Sequence, residues 1–164
     1  MITIRNAKAE DLPALIAIEQ LCFSPEEAAT QEAFEKRIRL IPDSFFVAEE
    51  DGVIAGLVNG PVIETPFITD DLFQAIKENP ASGGHQTILG LAVSPAFQKR
   101  GIASMLLTHL EASARVAGRE TITLTCKENL IGYYESQGYF NNGVSSSDHA
   151  GAIWYNMSKP LQLR

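Results

Sequence analysis

The chain has 164 residues, 45% hydrophobic and 20% charged, which is enough to bury one sizeable core and too few for two ordinary domains. Its 12 glycines and 8 prolines are scattered rather than clustered, which excludes collagenous, low-complexity and largely disordered classes. Thirteen Lys and Arg against 20 Asp and Glu give a net charge of -7, a surface that repels phosphate backbones and anionic lipid, so neither nucleic acid nor a membrane is an expected partner.

Ile2-Thr3-Ile4-Arg5 alternates apolar and polar as a half-buried strand does, and Glu10-Asp11-Leu12-Pro13 places acids and a proline where a helix starts. In that helix Leu12, Leu15, Ile16 and Glu19 share one stripe, so the Glu19 carboxylate is expected to point inward. Phe23-Ser24-Pro25 ends it. Thr30 is the N-cap of a second helix carrying Phe34, Ile38 and Ile41 at helical spacing up to Pro42. Phe45 to Ala48 and Val53 to Val58 flank Glu50-Asp51-Gly52, whose Asp-Gly pair supplies the positive φ of a tight hairpin. Glu64 to Gly84, with Pro66, Pro80, Gly83-Gly84 and a short amphipathic segment near Leu72-Phe73, reads as a long surface connection able to border a cleft.

Gln86 to Val93 is a mostly apolar strand, and Gly90 within it marks a bulge or a close backbone approach. From Gly101 the residues Ile102, Ala103, Leu106, Leu107, Leu110, Ala114 and Ala117 fill one arc of an amphipathic helix that Gly118 ends. Thr121 to Cys126 is a strand, Leu130 to Gln137 a short helix closed by Gly138, and Tyr139-Phe140 and Ala152 to Met157 two closing strands around a Ser145 to Asp148 loop. The order is mixed α/β with hairpins and one β-α-β crossover. Cys22 and Cys126 form no CxxC pair and read as core thiols. The apolar runs are far shorter than the roughly 20 residues of a membrane helix, and the first residues lack the core of a signal peptide, so a cytoplasmic location is expected.

Chemistry concentrates where Leu91-Ala92-Val93 feeds through Gln98-Lys99-Arg100-Gly101 into the start of the long helix at Ile102-Ala103-Ser104. Free amides at a helix start bind phosphate oxygens, Gly101 allows close approach, and Lys99 and Arg100 add charge in an acidic chain, so a pyrophosphate fits there. An ordinary strand-to-helix turn with two solvated bases is the competing reading.

Gln98-Lys99-Arg100-Gly101-Ile102-Ala103 resembles the Gln/Arg-x-x-Gly-x-Gly/Ala signature of the GNAT superfamily of acyl-CoA-dependent N-acyltransferases. Tyr133-Tyr134-Glu135-Ser136-Gln137-Gly138-Tyr139 resembles its downstream Tyr-x-x-x-Gly-aromatic element, and the order of elements agrees over essentially all 164 residues. Gly90 to Val93, Cys126 before Tyr134, and Phe23 to Ala29 resemble the arylalkylamine N-acetyltransferase branch. The resemblance implies one α/β domain over 1–164, built on a mostly antiparallel central sheet flanked by helices. It implies acetyl-CoA held by the backbone of Leu91, Ala92 and Val93 along its pantetheine arm and by Gln98, Lys99, Arg100, Gly101, Ile102, Ala103 and Ser104 at its pyrophosphate; Asn129, five residues before Tyr134, is a further candidate cofactor contact. It puts Tyr134 beside the thioester sulfur. Two positions depart from the pattern: the branch's paired histidines fall at Thr87 and Leu89, and the asparagine many members carry seven residues before the tyrosine is Lys127.

Tyr134 is accordingly the expected proton donor to the departing thiolate, with Tyr133 the alternative inward ring. Candidates for relieving the ammonium of its proton are His85, on the Thr87 face about 7 Å along the strand, together with Glu64 and Glu19; His109 and His149 are given no role. Phe23, Pro25, Phe67 and Phe73 are candidates for an apolar wall. No metal motif and no acyl-enzyme nucleophile is present. The expected function is acetyl transfer from acetyl-CoA to a small primary amine, arylalkylamine-like or polyamine-like, by direct attack in a ternary complex. A non-catalytic acyl-CoA sensor and a protein N-terminal acetyltransferase are the alternatives, and a homodimer is compatible with the sequence.

Overall fold

The N-terminal alternation forms β1 (Thr3–Asn6), one residue later than expected, in the computed structural model, which describes residues 1–73 and 75–161. Helices α1 (Leu12–Cys22) and α2 (Gln31–Leu40) follow, the second capped as expected by Thr30, whose side chain accepts from the Ala33 N–H at 3.1 Å. The hairpin of β2 (Phe45–Glu50) and β3 (Val53–Asn59) turns at Asp51 and Gly52, with φ of 52° and 81°, the pair of positive angles that matches the twist of the strands. A two-residue strand, β4 (Val62–Ile63), had no separate signal in the sequence.

The single strand expected from Gln86 to Val93 is two strands, β5 (His85–Ile88) and β6 (Gly90–Val93), broken at Leu89. Leu89 N–H donates to Asn59 O at 2.8 Å while Gly90 also pairs with Asn59, which is the signature of a bulge. Helix α3 (Ile102–Val116), β7 (Thr121–Cys126), α4 (Ile131–Ser136), β8 (Phe140–Val144) and β9 (Tyr155–Pro160) complete the order. The strands run β1-β2-β3-β6 in one sheet and β4-β5-β7-β9-β8 in the other. Every pairing is antiparallel except β5 with β7, the two ends of the crossover through α3.

Period-two alternation explains why both faces of the first sheet are apolar. Phe45, Val47, Leu57 and Ala92 pack toward Leu15, Ile18 and Phe34 of α1 and α2. Phe46, Ala48 and Val58 pack the other way, with Ile102, Leu106, Leu107 and Leu110 of α3 and with Ile122, Leu124 and Met157 of the second sheet. The first sheet is thus held between helices on both faces. Each fully buried Leu, Ile or Phe adds roughly 1.5–3 kcal/mol of burial.

Candidate active site

The two sheets share a seam that opens. Over His85 to Ile88 the pairing of β5 with β7 is continuous, ending at Ile88 opposite Leu124. Past the Leu89 bulge β6 pairs only with β3, and β7 goes on only with β9, through Thr125 and Cys126. The strands part, and a cleft of about 290 Å³ opens between Leu89, Gly90 and Leu91 on one wall and Thr125, Cys126 and Lys127 on the other.

One edge of β6 therefore lacks a strand partner among the described residues. Ser94 N–H turns back to Ala55 O at 2.8 Å, whereas the Val93 carbonyl faces away from β3 and accepts from Cys22 Sγ at 3.3 Å and Gln98 Nε2 at 3.1 Å. By alternation Leu91 turns its main-chain groups to the same open edge, and Ala92, opposite Leu57, turns its own to β3. An extended arm could add itself to Leu91 and Val93; Ala92 instead contributes a buried methyl to the core.

Beyond the end of β6, Gly101 caps α3 with φ +78° and ψ 13°, and Lys99 has φ +65°. The N–H groups of Lys99 through Ser104 have no acceptor among the described residues, and a Cβ on Gly101 would meet nothing within 4 Å. This is a cradle of amides open to solvent at the positive end of a 15-residue helix, suited to phosphate oxygens. Arg100 differs from expectation in its side chain, which is clamped on Glu50 by two hydrogen bonds of 3.1 and 2.8 Å. Its guanidinium is committed to the hairpin, and it can serve an anion only through its backbone. Lys99 makes no ion pair among the described residues.

Tyr134 lines the cleft at 6% exposure, edge-on to the rings of Tyr133 and Tyr139. Its hydroxyl makes no hydrogen bond among the described residues, while that of Tyr133 is 3.2 Å from Ser104 Oγ at the start of α3. Burial, with the neighbouring Cys126 and Tyr133 adding to it, raises the Tyr134 phenol above its ordinary value, so it stays protonated as a donor. Burial pushes the Cys126 thiol up to about 11, and burial together with Glu19 raises Cys22, so neither is a ready thiolate.

A second cavity, of about 470 Å³, adjoins the first, and Glu19, Glu27, Phe73, Leu89 and His149 line both. Glu19 is 5% exposed, as its stripe predicted; Oε2 accepts from Ala29 N–H at 2.8 Å, and Oε1 is buried without a donor. Burial raises its carboxyl, against the Ala29 hydrogen bond and the charge of Arg37. Glu27 is paired with Lys127, which holds its carboxyl below the ordinary range, and Lys127 also lies over the Trp154 ring at 5.7 Å. Asn129 is on the cleft wall, where its side chain is exposed.

Two expected proton acceptors lie elsewhere. His85 begins β5 opposite Thr121, at the far end of the strands from the opening, and is buried with Nδ1 2.8 Å from Thr121 Oγ1. There β5 and β7 stay closed, so sharing a face with Thr87 does not bring His85 to the cleft. Glu64 follows β4 into solvent and lines neither cavity. Thr87 is fully buried with Oγ1 donating to Pro61 O at 2.7 Å. Phe23 and Phe73 line the cleft as expected, whereas Pro25 and Phe67 are exposed and do not.

His149 and Arg37, without a role in the motifs, are brought to the cavities by the fold. His149 stacks on Phe73 at 4.7 Å and 5°, its Nε2 buried without a partner. The Ser147 hydroxyl and the Asp148 N–H both donate to Asp70, tying the two loops together. Arg37 is 3% exposed and lines the second cavity. Helical spacing could have flagged it, falling as it does three residues after the buried Phe34.

No helix among the described residues is long and apolar enough to cross a membrane. The chain is 29% identical over 142 residues to the acetyltransferase ECA0875 of Pectobacterium atrosepticum, covering 83% of this chain and 86% of that protein. Among solved structures, the GphF GNAT-like decarboxylase in complex with isobutyryl-CoA superposes with a TM-score of 0.85 at 22% identity, covering 98% of this chain and all of that one. The loading GNATL domain of CurA from Lyngbya majuscula gives 0.83 at 17% identity with both chains covered in full. At such identities these two establish the fold. Residues 12–139, spanning the bulge, the amide cradle and Tyr134, match the acetyltransferase (GNAT) family, and the chain belongs to that family.

Proposed function

We propose that the chain is an acetyl-CoA-dependent N-acetyltransferase acting on a small primary amine, with both substrates bound at once. One observation carries the acceptor side of this reading: Glu19 Oε1 is a buried carboxylate oxygen without a donor, where the two cavities meet. A buried acceptor left unsatisfied costs about 1–3 kcal/mol, and the N–H of an incoming amine supplies the missing donor. The donor side rests on the unpaired edge of β6 and the amides of Lys99 to Ser104, which fit a pantetheine arm and a pyrophosphate.

Acetyl-CoA supplies an activated thioester carbonyl. Leu91 and Val93 align the arm, and the amides from Lys99 to Ser104 with the Lys99 charge hold the phosphates. Tyr134 donates a proton toward the sulfur side of the cleft. Glu19 orients the amine and, with its carboxyl raised by burial, accepts its proton for relay to solvent. Phe23, Phe73 and Trp154 wall the acceptor with apolar surface, which favours an amine with an aromatic or aliphatic body, as in the arylalkylamine branch. With Thr87 paired and Leu89 apolar, a histidine pair on this strand has no part in the route.

The test follows free thiol released from acetyl-CoA against a panel of amines. The expected result is amine-dependent release that Glu19→Gln lowers at least 10²-fold in kcat/KM, with CoA affinity unchanged by calorimetry. CoA binding without amine-dependent release from any acceptor would make the chain a sensor and overturn this reading.

A further inference from the structure

Arg37 is buried to 3% exposure beside a cavity of about 470 Å³, and its guanidinium makes one hydrogen bond among the described residues, from Nη1 to Asn59 Oδ1 at 3.0 Å. Asn59 is neutral, so it offers no countercharge. The other charged groups around this cavity are engaged elsewhere: Glu27 with Lys127, and Glu32 with Lys36 at the rim at 3.8 Å. What remains is Glu19, the one acid whose charge acts on Arg37, yet the two form no ion pair within 4 Å.

Two buried opposite charges normally close on each other, because a separated pair keeps the cost of leaving water without the gain of contact. These are held apart by their own anchors, Glu19 by the Ala29 N–H and Arg37 by Asn59, with ring contact from Phe34 at 5.8 Å. Glu19 Oε1 is buried without a partner, and of the guanidinium nitrogens only Nη1 bonds to a described residue. Both residues line one cavity without forming an ion pair, an arrangement that suits a ligand with a positive and a negative end.

We infer that the acceptor is an amino acid or a similarly short amino-carboxylic acid, its amine at Glu19 and its carboxylate on the free side of the Arg37 guanidinium. The inference rests on the acetyl-transfer reading for the amine end and goes beyond it at the carboxylate end. A guanidinium fork binds a planar carboxylate through parallel hydrogen bonds and gives no such gain to an amide or to an amine that ends in hydrocarbon. The side chain of the acceptor then lies along Phe73 and His149.

The experiment uses matched triplets: an amino acid, its amide and the amine lacking the carboxyl group, for aromatic, aliphatic and basic side chains, each assayed for thiol release from acetyl-CoA. The acid is expected to exceed both partners in kcat/KM by about 10- to 100-fold, the range of a charge-assisted hydrogen-bonded contact. In Arg37→Gln the ratio should fall to about one, and because it is taken within one preparation it does not depend on how much of the variant is folded. A wild-type ratio at or below one, or a ratio Arg37→Gln leaves unchanged, overturns the inference while acetyl transfer to amines stands. A second arm titrates the amino acids into wild-type protein saturated with CoA. Heat of binding that Arg37→Gln removes, without turnover, keeps the carboxylate site and sinks the transfer reading; absence of binding and turnover alike overturns the inference.

Discussion

Glu19 and Tyr134 carry the proposed chemistry, and the inward direction of both is legible in the sequence because a stripe or a motif fixes the direction of a helical side chain. Glu19 falls on the stripe of Leu12, Leu15 and Ile16, and Tyr134 is buried where Tyr133 is half-buried. Helical spacing carries the burial of Arg37, but what Arg37 and His149 touch comes from chain segments far away: Asn59 beside one and Phe73 beneath the other. Tyr134→Phe should lower kcat by about 10²-fold and leave CoA affinity nearly unchanged, whereas Tyr133→Phe, which loses the contact with Ser104, should be mild; steady-state kinetics with calorimetry separates them. Glu19 gives a stability prediction of definite sign. Burial raises its folded carboxyl above the ordinary value, so the folded state binds its proton more tightly than the unfolded one. Its share of stability is therefore fully present below the unfolded value and falls as pH rises through the folded one. Glu19→Gln has no proton to lose, so its Tm relative to wild type should increase between pH 4 and pH 8. A difference that is flat or of opposite slope would contradict the burial argument.

Elements are legible in the sequence wherever local chemistry sets them. The Asp51-Gly52 turn, the Thr30 cap and the arc of α3 each depend on neighbours within a few residues, and each occurs as expected. Thr30→Ala removes the acceptor of the Ala33 N–H and should cost about 1 kcal/mol in chemical denaturation. Because α2 carries Arg37, the same change should also weaken acceptor binding more than CoA binding. The cradle ahead of α3 offers a cleaner separation of stability from binding. Gly101 has a left-handed φ, so any side chain there strains the backbone by roughly 1–2 kcal/mol, but no atom lies within 4 Å of the added Cβ. Gly101→Glu should consequently fold with a modestly lower Tm while losing CoA binding, since its carboxylate stands among the amides that the phosphates need. Unchanged CoA affinity in the folded variant would remove the cradle from the site.

Across the two sheets, the sequence shows a strand with a glycine inside it where the structure shows the point at which the sheets part. Periodicity cannot register that difference: His85–Ile88 and Gly90–Val93 are both buried or half-buried, and only their partners differ. The junction is held from below by Gly60, between β3 and β4. Its carbonyl accepts from Ser44 Oγ and from Gln86 Nε2, each at 2.7 Å, and its N–H donates to Ser44 O at 3.3 Å. A Cβ on Gly60 would stand 2.2 Å from the Thr87 carbonyl oxygen and 2.6 Å from its carbon, both main-chain atoms of β5. Neither can yield without moving the strand that ends at the cleft, so Gly60→Ala should cost about 3 kcal/mol, at the upper end of overpacking. For a chain of this size that is a fall in Tm of roughly 6–12 °C. Gly118→Ala is the control: it also adds a methyl group, its φ is +73° and nothing lies within 4 Å, so it carries backbone strain alone. If the junction sets the width of the opening, Gly60→Ala weakens CoA binding at a temperature where it is fully folded, and Gly118→Ala does not. Equal CoA affinity in the two folded variants would mean that the bulge at Leu89 alone, without the packing at Gly60, determines how far β6 and β7 stand apart.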